Sequence, residues 1–324
     1  MRRIRIDRSI SVASIAWAAV LAFAITATTG CGDGGGATAS ATRIPASASP
    51  PYTVTCTVGM LADIVSEIGG DRLAVTSLMG PGTDPHLYPA TPSDREQLLR
   101  SHAIFYCGHH LEGRMSDVLE KMGSKVPTLA VCEEIPDSQL LTEDNAFDPH
   151  LWFDVALWSQ CARTVFDQLV AIDPAGKELY TKNIAALETK MAALHTESQS
   201  ALASVPKERR VLITAHDAFG YLGRAYDVEV IGVQGLSTES EAGVGRVEEL
   251  VQQIVDRGVP AVFVESTISE KNVRALVEGC RARGHELKIG GELYSDAMGA
   301  ADTPAGNYFG MVKHNVRTIV EALK

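Results

Sequence analysis

A short phrase occurs twice in the chain and contains side chains that are well suited to bind a metal. The sequences DPHLY and DPHLW, which contain His86 and His150, lie 64 residues apart. In each, the proline fixes its own φ angle and restricts the backbone of the preceding aspartate. The histidine side chain therefore projects from a rigid, non-helical turn, which we call a DPH corner. A metal site needs donors whose directions are set in advance. The repeat therefore predicts that His86 and His150 are metal ligands, the alternative being that each caps the following helix.

A third histidine and one carboxylate are candidates to complete the set. His216 follows the apolar run VLITA, and the carboxyl ends of parallel strands are where open α/β sheets bind ligands. Near the end of the chain, the Gly-rich segment GGELYSD offers Glu292 and Asp296, and the residue types do not decide between them. Three imidazoles and one carboxylate suit Zn²⁺, and suit Mn²⁺ or Fe²⁺ less tightly.

The other histidines are in less favourable contexts. We expect four of them to be solvated or packed: His102, His195, His285 and His314. The pair His109-His110 follows a predicted strand at the correct sheet edge and could form a weak outer metal site. Adjacent side chains diverge, however, so we leave this pair outside the site.

Two sets of strand-like runs alternate with amphipathic segments and would position these residues. The predicted strands are residues 52–58, 73–78, 103–107 and 128–131, and then 210–215, 228–233, 261–265 and 287–290. Such βαβ alternation predicts parallel sheets covered on both faces by helices. We expect an α/β protein with two lobes, each a four-stranded parallel sheet flanked by helices.

One long helix is predicted between the two sets, over residues 174–205. Proline stands at both of its ends, and apolar residues recur at steps of three and four to form one stripe: Tyr180, Ile184, Leu187, Met191 and Leu194. The alternative is two shorter helices with a break near Ser198. The single helix would link a first lobe, residues 52–173, to a second, residues 206–324.

The N-terminus has the pattern of an export signal. Residues 1–30 contain a basic start, an apolar run and small residues before Cys31, as in a bacterial lipoprotein whose cysteine receives a lipid. Residues 31–51, rich in Gly, Ala, Ser and Pro, predict a flexible tether. The competing interpretation is a transmembrane anchor over residues 10–28.

Composition and cysteine usage narrow the possible classes. The 324 residues are 45% hydrophobic and 21% charged, which is typical of a folded protein. A formal net charge of −11 disfavours nucleic-acid binding. If Cys31 carries lipid, five cysteines remain, so they cannot all pair. Buried thiols are expected, with a Cys56–Cys107 bridge as the alternative.

Five segments resemble one known family. These segments are GPGTDPHLYPATPSD, AFDPHLWFDV, ITAHDAFGYLGRAYDVEV, AVFVESTISEKNVRALVEG and GGELYSDAMG. They are similar, in the same order, to segments of the solute-binding proteins of bacterial zinc and manganese ABC importers, the TroA/ZnuA-like family. The resemblance covers residues from about 52 to 324. It implies two α/β lobes joined by a long helix, with one metal ion between them.

The resemblance also implies the ligands and the partners. The family's ligand positions match His86, His150, His216 and Asp296, which selects Asp296 over Glu292. Some manganese-binding relatives have Glu where this chain has His216, and many zinc-binding relatives have a His-rich loop that this chain lacks. These two departures point in different directions and leave the transported metal open. The ligand set itself favours Zn²⁺ in vitro, with Mn²⁺ or Fe²⁺ as the alternatives. The implied partners are a membrane permease and its cytoplasmic ATPase, and the protein is expected to be an exported, membrane-anchored monomer.

A secreted zinc hydrolase and an adhesin-like surface lipoprotein are the rival interpretations. A catalytic zinc needs an open coordination position, which four protein ligands would fill, and the sequence has no HExxH motif. The adhesin interpretation would leave the site unchanged. We therefore expect a binding protein and not an enzyme.

Overall fold

The computed structural model describes residues 43–44, 47–143 and 145–324. The predicted signal peptide, the predicted lipidation site Cys31 and most of the predicted tether lie outside the described residues. Among the helices of the described part, none combines the length and apolar composition needed to cross a bilayer.

The first half is a parallel sheet flanked by helices. Its elements are β1 Tyr52–Cys56, α1 Gly59–Gly69, β2 Leu73–Ser77, α2 Pro92–Arg100, β3 Ala103–Tyr106, α3 Ser116–Gly123 and β4 Thr128–Ala130. The four strands lie in the order β2-β1-β3-β4, and each pairing is parallel. The four predicted strands of this half are confirmed, each ending one or two residues earlier than predicted.

A short hairpin and two long helices follow. They are β5 Thr142–Glu143, β6 Ala146–Phe147, α4 Val155–Ile172 and α5 Lys177–Ala203. Asp154 starts α4, since its side chain accepts two hydrogen bonds from backbone N–H groups of the first turn. Helix α5 is continuous through Ser198, and its predicted apolar stripe is buried. The single long helix is confirmed, with the 3-10 turn Pro174–Gly176 in place of its first residues.

The second half repeats the alternation of strands and helices. Its elements are β7 Val211–Thr214, α6 Gly220–Tyr226, β8 Glu229–Gly232, α7 Val244–Arg257, β9 Ala261–Glu265, α8 Lys271–Ala282, β10 Lys288–Leu293 and α9 Tyr308–Leu323. Here the strands form two parallel hydrogen-bonded pairs, β7 with β8 and β9 with β10, and β7 lies beside β9. The predicted α/β class with parallel sheets flanked by helices is confirmed, but the four-stranded sheet predicted for this half is divided into two hydrogen-bonded pairs of strands.

Strand β10 extends three residues beyond its predicted end, across a bulge. The register shifts between Ile289 and Gly291. Gly291 has a φ of 146°, and a Cβ at this position would lie 2.5 Å from Cγ2 of Thr318 on α9. Glycine is therefore required for the strand to continue toward the candidate site.

A continuous hydrophobic core joins the two halves. Helix α5 packs against α1, α4 and α9. The Phe153 ring stacks on Phe219 with centroids 4.3 Å apart, and Trp158 lies 6.2 Å from Tyr308. All four rings are buried, so aromatic packing fixes one side of the interface between the lobes.

The five cysteines within the described residues are buried free thiols: Cys56, Cys107, Cys132, Cys161 and Cys280. Burial raises the pKa of the Cys56 thiol. The structure thus has Cys56 and Cys107 unbridged, in agreement with the expectation of buried thiols.

Candidate metal centre

The two DPH corners are closed by their own aspartates. In each, one Oδ1 atom accepts the backbone N–H of the histidine two residues later, at 2.9 Å for Asp84 and His86 and at 2.9 Å for Asp148 and His150. These are turns in which an aspartate side chain replaces a backbone acceptor. The aspartate and the proline therefore fix the exit direction of the histidine together.

The two corners differ in what else the aspartate binds. Oδ1 of Asp148 also lies 2.7 Å from Nδ1 of His150. A carboxylate can only accept, so Nδ1 carries a proton, and Nε2 is the nitrogen that can bind a metal ion once it has lost its own proton. Asp84 instead accepts a hydrogen bond at its second oxygen from Oγ1 of Thr238 in the other lobe, at 2.6 Å.

His216 is oriented by the neighbouring strand. It lies two residues after β7, and Glu265 is the last residue of β9. The Glu265 carboxylate accepts the His216 backbone N–H at 2.9 Å and the ring Nδ1–H at 2.6 Å. Both side chains are buried. As for His150, the carboxylate leaves Nε2 free to bind a metal ion.

Asp296 lies in the loop after β10 and faces the three histidines. The indole N–H of Trp152 donates to the backbone carbonyl of Ser295 at 3.0 Å and holds this loop. Asp296 is 1% exposed, and both of its carboxylate oxygens lack a hydrogen-bond partner. Buried oxygens of this kind need a cation beside them, either a metal ion or, without one, the protonated rings of His150 and His216, whose Nε2 atoms lie 3.4 and 3.3 Å away. Glu292, the sequence alternative, is an exposed residue of β10.

The four side chains lie close enough together to bind one metal ion. One ligand atom from each of His86, His150, His216 and Asp296 lies within 4.8 Å of the others. The two Nε2 atoms of His86 and His150 are 3.4 Å apart, and three Nε2 to carboxylate distances are 3.3, 3.4 and 3.7 Å. Tetrahedral zinc with bonds of about 2.0–2.1 Å places its ligand atoms about 3.3 Å apart. The cluster therefore fits a four-coordinate ion.

The charges of the cluster favour a cation. Burial lowers the pKa of His150, but Asp148 and Asp296 outweigh burial and raise it to about 9. His216 is also raised well above its ordinary pKa, because Glu265 and Asp296 outweigh the effect of burial. His86 has no carboxylate partner of its own, and burial lowers its pKa to about 3. Without an ion, protons on His150 and His216 therefore balance the buried carboxylates.

We expect Glu265→Gln to weaken Zn²⁺ binding about tenfold, although Glu265 does not face the cluster directly. The glutamine amide can donate to Nδ1 of His216, which favours the ring form with its proton on Nε2, where it blocks the metal. A competition titration against a zinc chelator would measure the affinity. Glu286→Gln is a matched control, because Glu286 is at the surface with an 85% exposed side chain. An unchanged affinity in Glu265→Gln would contradict the orienting role.

The remaining histidines lie outside this cluster. Within the described part of the chain, no second group of three or more His, Cys, Asp or Glu side chains converges in this way. His195 contacts Tyr226, and His314 bonds to the backbone of Glu292. His109 and His110 both adopt left-handed backbone conformations, with φ of 50° and 62°, and Nε2 of His109 lies 3.0 Å from the Cys132 carbonyl.

Sequence reasoning did not identify the two orienting carboxylates. Asp148 is inside the repeated tripeptide, so the repeat itself could have indicated it. Glu265 ends a predicted strand beside the one that precedes His216, and a carboxylate at that edge was a usable signal. The bond from Thr238 to Asp84 has no local signal, because the two residues are 154 apart.

The sequence also matches a known family. A model described as zinc-uptake complex component A, periplasmic, matches residues 54–322. The chain belongs to this family. Among members of the zinc-uptake family, it is 48% identical over 274 residues to the zinc-binding protein TroA of Treponema pallidum, covering 84% of this chain and 89% of that protein. It is 44% identical over 309 residues to the manganese-binding lipoprotein MntA of Bacillus subtilis, covering 95% and 98%.

A solved structure of the family agrees with the fold. The periplasmic zinc-binding protein TroA of Treponema pallidum superposes with a TM-score of 0.83 at 46% identity, covering 85% of this chain and 99% of that one. The predicted family is thus confirmed, together with the two-lobed α/β fold.

Proposed function

We propose that this chain is the extracytoplasmic solute-binding component of a metal ABC importer. It captures a divalent transition-metal ion between its lobes and delivers it to a membrane permease. The observation that carries this proposal is the buried cluster of three histidines and Asp296, whose carboxylate lies 3.3 to 3.7 Å from the three imidazoles. Membership of the zinc-uptake family supports it.

The proposed ligands are His86, His150, His216 and Asp296, and the ion is cargo that must later leave. Zn²⁺ suits a tetrahedral set of three nitrogens and one oxygen, and it binds such donors more tightly than Mn²⁺ or Fe²⁺. One relative is named for zinc and another for manganese. We therefore propose Zn²⁺ as the tightest-bound ion in vitro, with Mn²⁺ and Fe²⁺ as further cargo.

The proposed organisation follows from this role. Residues 52–173 and 206–324 form the two metal-binding lobes, with residues 174–205 linking them. A lipid on Cys31 and a tether over residues 31–51 would hold a monomer at the membrane surface, near the permease and its ATPase. Relatives named as lipoproteins support this anchoring.

A hydrolase is the less favoured function for this site. A catalytic zinc keeps one position for water. Here, four side chains converge, so a four-coordinate ion that binds all four has no such position. The cluster suits capture and release better than turnover.

Metal uptake in the source bacterium would test the proposal. Deleting the gene should reduce uptake of radioactive zinc or manganese from metal-poor medium, and the wild-type gene should restore it. Asp296→Ala should not restore uptake, because it removes the carboxylate that faces all three histidines. His314→Ala, which changes a histidine outside the cluster, should restore it. Full restoration by Asp296→Ala would contradict the proposed function.

A further inference from the structure

We propose that Thr238 is a positioning residue which holds the His86 corner in place and sets the rate at which the metal leaves. This inference rests on the proposed function. Thr238 lies in the loop between β8 and α7, residues 233–243, which belongs to the second lobe. It contributes no metal ligand, and it acts through Asp84 of the first lobe.

The contact is short, partly buried and directly connected to a candidate ligand. Oγ1 of Thr238 donates to Oδ2 of Asp84 at 2.6 Å, while Oδ1 of the same carboxylate accepts the His86 backbone N–H at 2.9 Å. Thr238 is 7% exposed. One carboxylate thus joins the loop of the second lobe to the histidine of the first.

The two DPH corners are held to the opposite lobe in different ways. On the His150 side, the buried Tyr221 hydroxyl donates to the Asp148 carbonyl at 3.0 Å, and Trp152 donates to the Ser295 carbonyl. The ring of His150 also has its own carboxylate. These contacts involve large buried side chains, so this corner is fixed by packing as well as by hydrogen bonds.

The His86 corner has much less support. Within the described residues, the His86 ring has no carboxylate bonded to its Nδ1 atom. The segment that leads to His86 begins Gly80-Pro81-Gly82, in which Gly82 has a φ of 71° and no atom beyond the chain neighbours lies within 4 Å of the place where Gly80 would carry a Cβ. The neighbouring contact across the lobes is an exposed pair, Arg114 and Glu239, at 3.7 Å. Exposed pairs of this kind stabilise weakly. The Thr238 hydroxyl is therefore the principal polar contact that we assign to this side.

An ion that leaves the cluster must first lose a ligand, and His86 is the ligand whose support is weakest. If its corner moves only after the bond between Thr238 and Asp84 breaks, the hydroxyl controls dissociation. Association is governed by diffusion into the site and depends less on this bond.

Thr238→Val, which replaces the hydroxyl by a methyl group of similar size, should raise the dissociation rate of Zn²⁺ about tenfold, the effect expected for a hydrogen bond to a charged acceptor. The association rate should stay within about twofold. Stopped-flow mixing of the zinc-loaded protein with excess chelator measures dissociation. Mixing of the metal-free protein with a zinc indicator complex measures association.

Two further variants separate the hydroxyl from packing. Thr238→Ser keeps the donor and should dissociate at nearly the wild-type rate. Glu239→Ala removes the exposed neighbouring pair and should also leave the rate nearly unchanged. Thermal unfolding of each metal-free variant would establish that it is folded.

The outcomes distinguish this inference from the proposed function. Wild-type dissociation kinetics in folded Thr238→Val would overturn the role of Thr238 while leaving metal capture intact. Equal acceleration in Thr238→Ser and Thr238→Val would also overturn it, because packing and not the hydroxyl would then control release. Failure of the wild-type protein to bind any of Zn²⁺, Mn²⁺ and Fe²⁺ would overturn the proposed function, and the role of Thr238 with it.

Discussion

Alanine at any one of His86, His150, His216 or Asp296 is expected to weaken Zn²⁺ binding at least a hundredfold. Each change removes one of only four donors and leaves an ion in a buried site with an unfilled position. A hundredfold loss corresponds to about 2.8 kcal/mol. Asp296→Ala should have the largest effect, because it also removes the carboxylate that lies 3.3 to 3.7 Å from all three imidazoles. Competition titrations with chelators of graded affinity would measure each variant.

Two histidines outside the cluster provide controls for this series. His195→Ala and His314→Ala should leave zinc affinity within about twofold of the wild type, since neither ring belongs to the converging group. A loss in either control as large as that of the site variants would mean that the ligand assignment is wrong. Wild-type affinity in His86→Ala would remove that residue from the set.

Zinc affinity is expected to fall steeply as the pH decreases from about 7.5 to about 5.5. In the metal-free protein, the pKa of His150 is raised to about 9 and that of His216 is also raised, so both rings carry protons in this range. The pKa of His86 is lowered to about 3, so His86 is already neutral. Binding must therefore displace about two protons, and affinity should fall by up to about a hundredfold per pH unit.

Two independent measurements would check this dependence. The dissociation constant can be followed against pH, and the protons released can be counted by calorimetry in buffers with different ionisation enthalpies. A loss of about two protons per ion is expected near neutral pH. An affinity that is flat over this range would show that His150 and His216 are not both protonated in the metal-free protein or do not both bind the ion.

Much of the architecture could be predicted because its signals are local. Apolar runs of four to seven residues gave the strands, and the spacing from Tyr180 to Leu194 gave α5. His86 and His150 were indicated by the repeat, and His216 by its place after a strand. The choice of Asp296 over Glu292 came from the family resemblance, because local pattern alone does not show which carboxylate faces the other strands.

The remaining features depend on how distant segments meet. The bonds of Glu265 to His216 and of Thr238 to Asp84 connect residues 49 and 154 positions apart. Nor does the sequence show that the two DPH corners differ, since the tripeptides are identical, whereas Asp148 binds the ring of His150 and Asp84 binds Thr238 of the opposite lobe.

The aromatic packing between the lobes has a consequence for ion selectivity. Phe153 on Phe219 and Trp158 near Tyr308 form a packed aromatic joint between the lobes, and separating these rings would expose a large apolar area to water. The joint therefore resists a change in the separation of the lobes when a different ion enters. Zn²⁺ accepts four ligands at this spacing, whereas Mn²⁺ prefers more ligands and more oxygen. Preference among metals would then arise from the resistance of this aromatic joint as well as from donor chemistry. An ion that needs longer bonds or more ligands must deform the joint to obtain them.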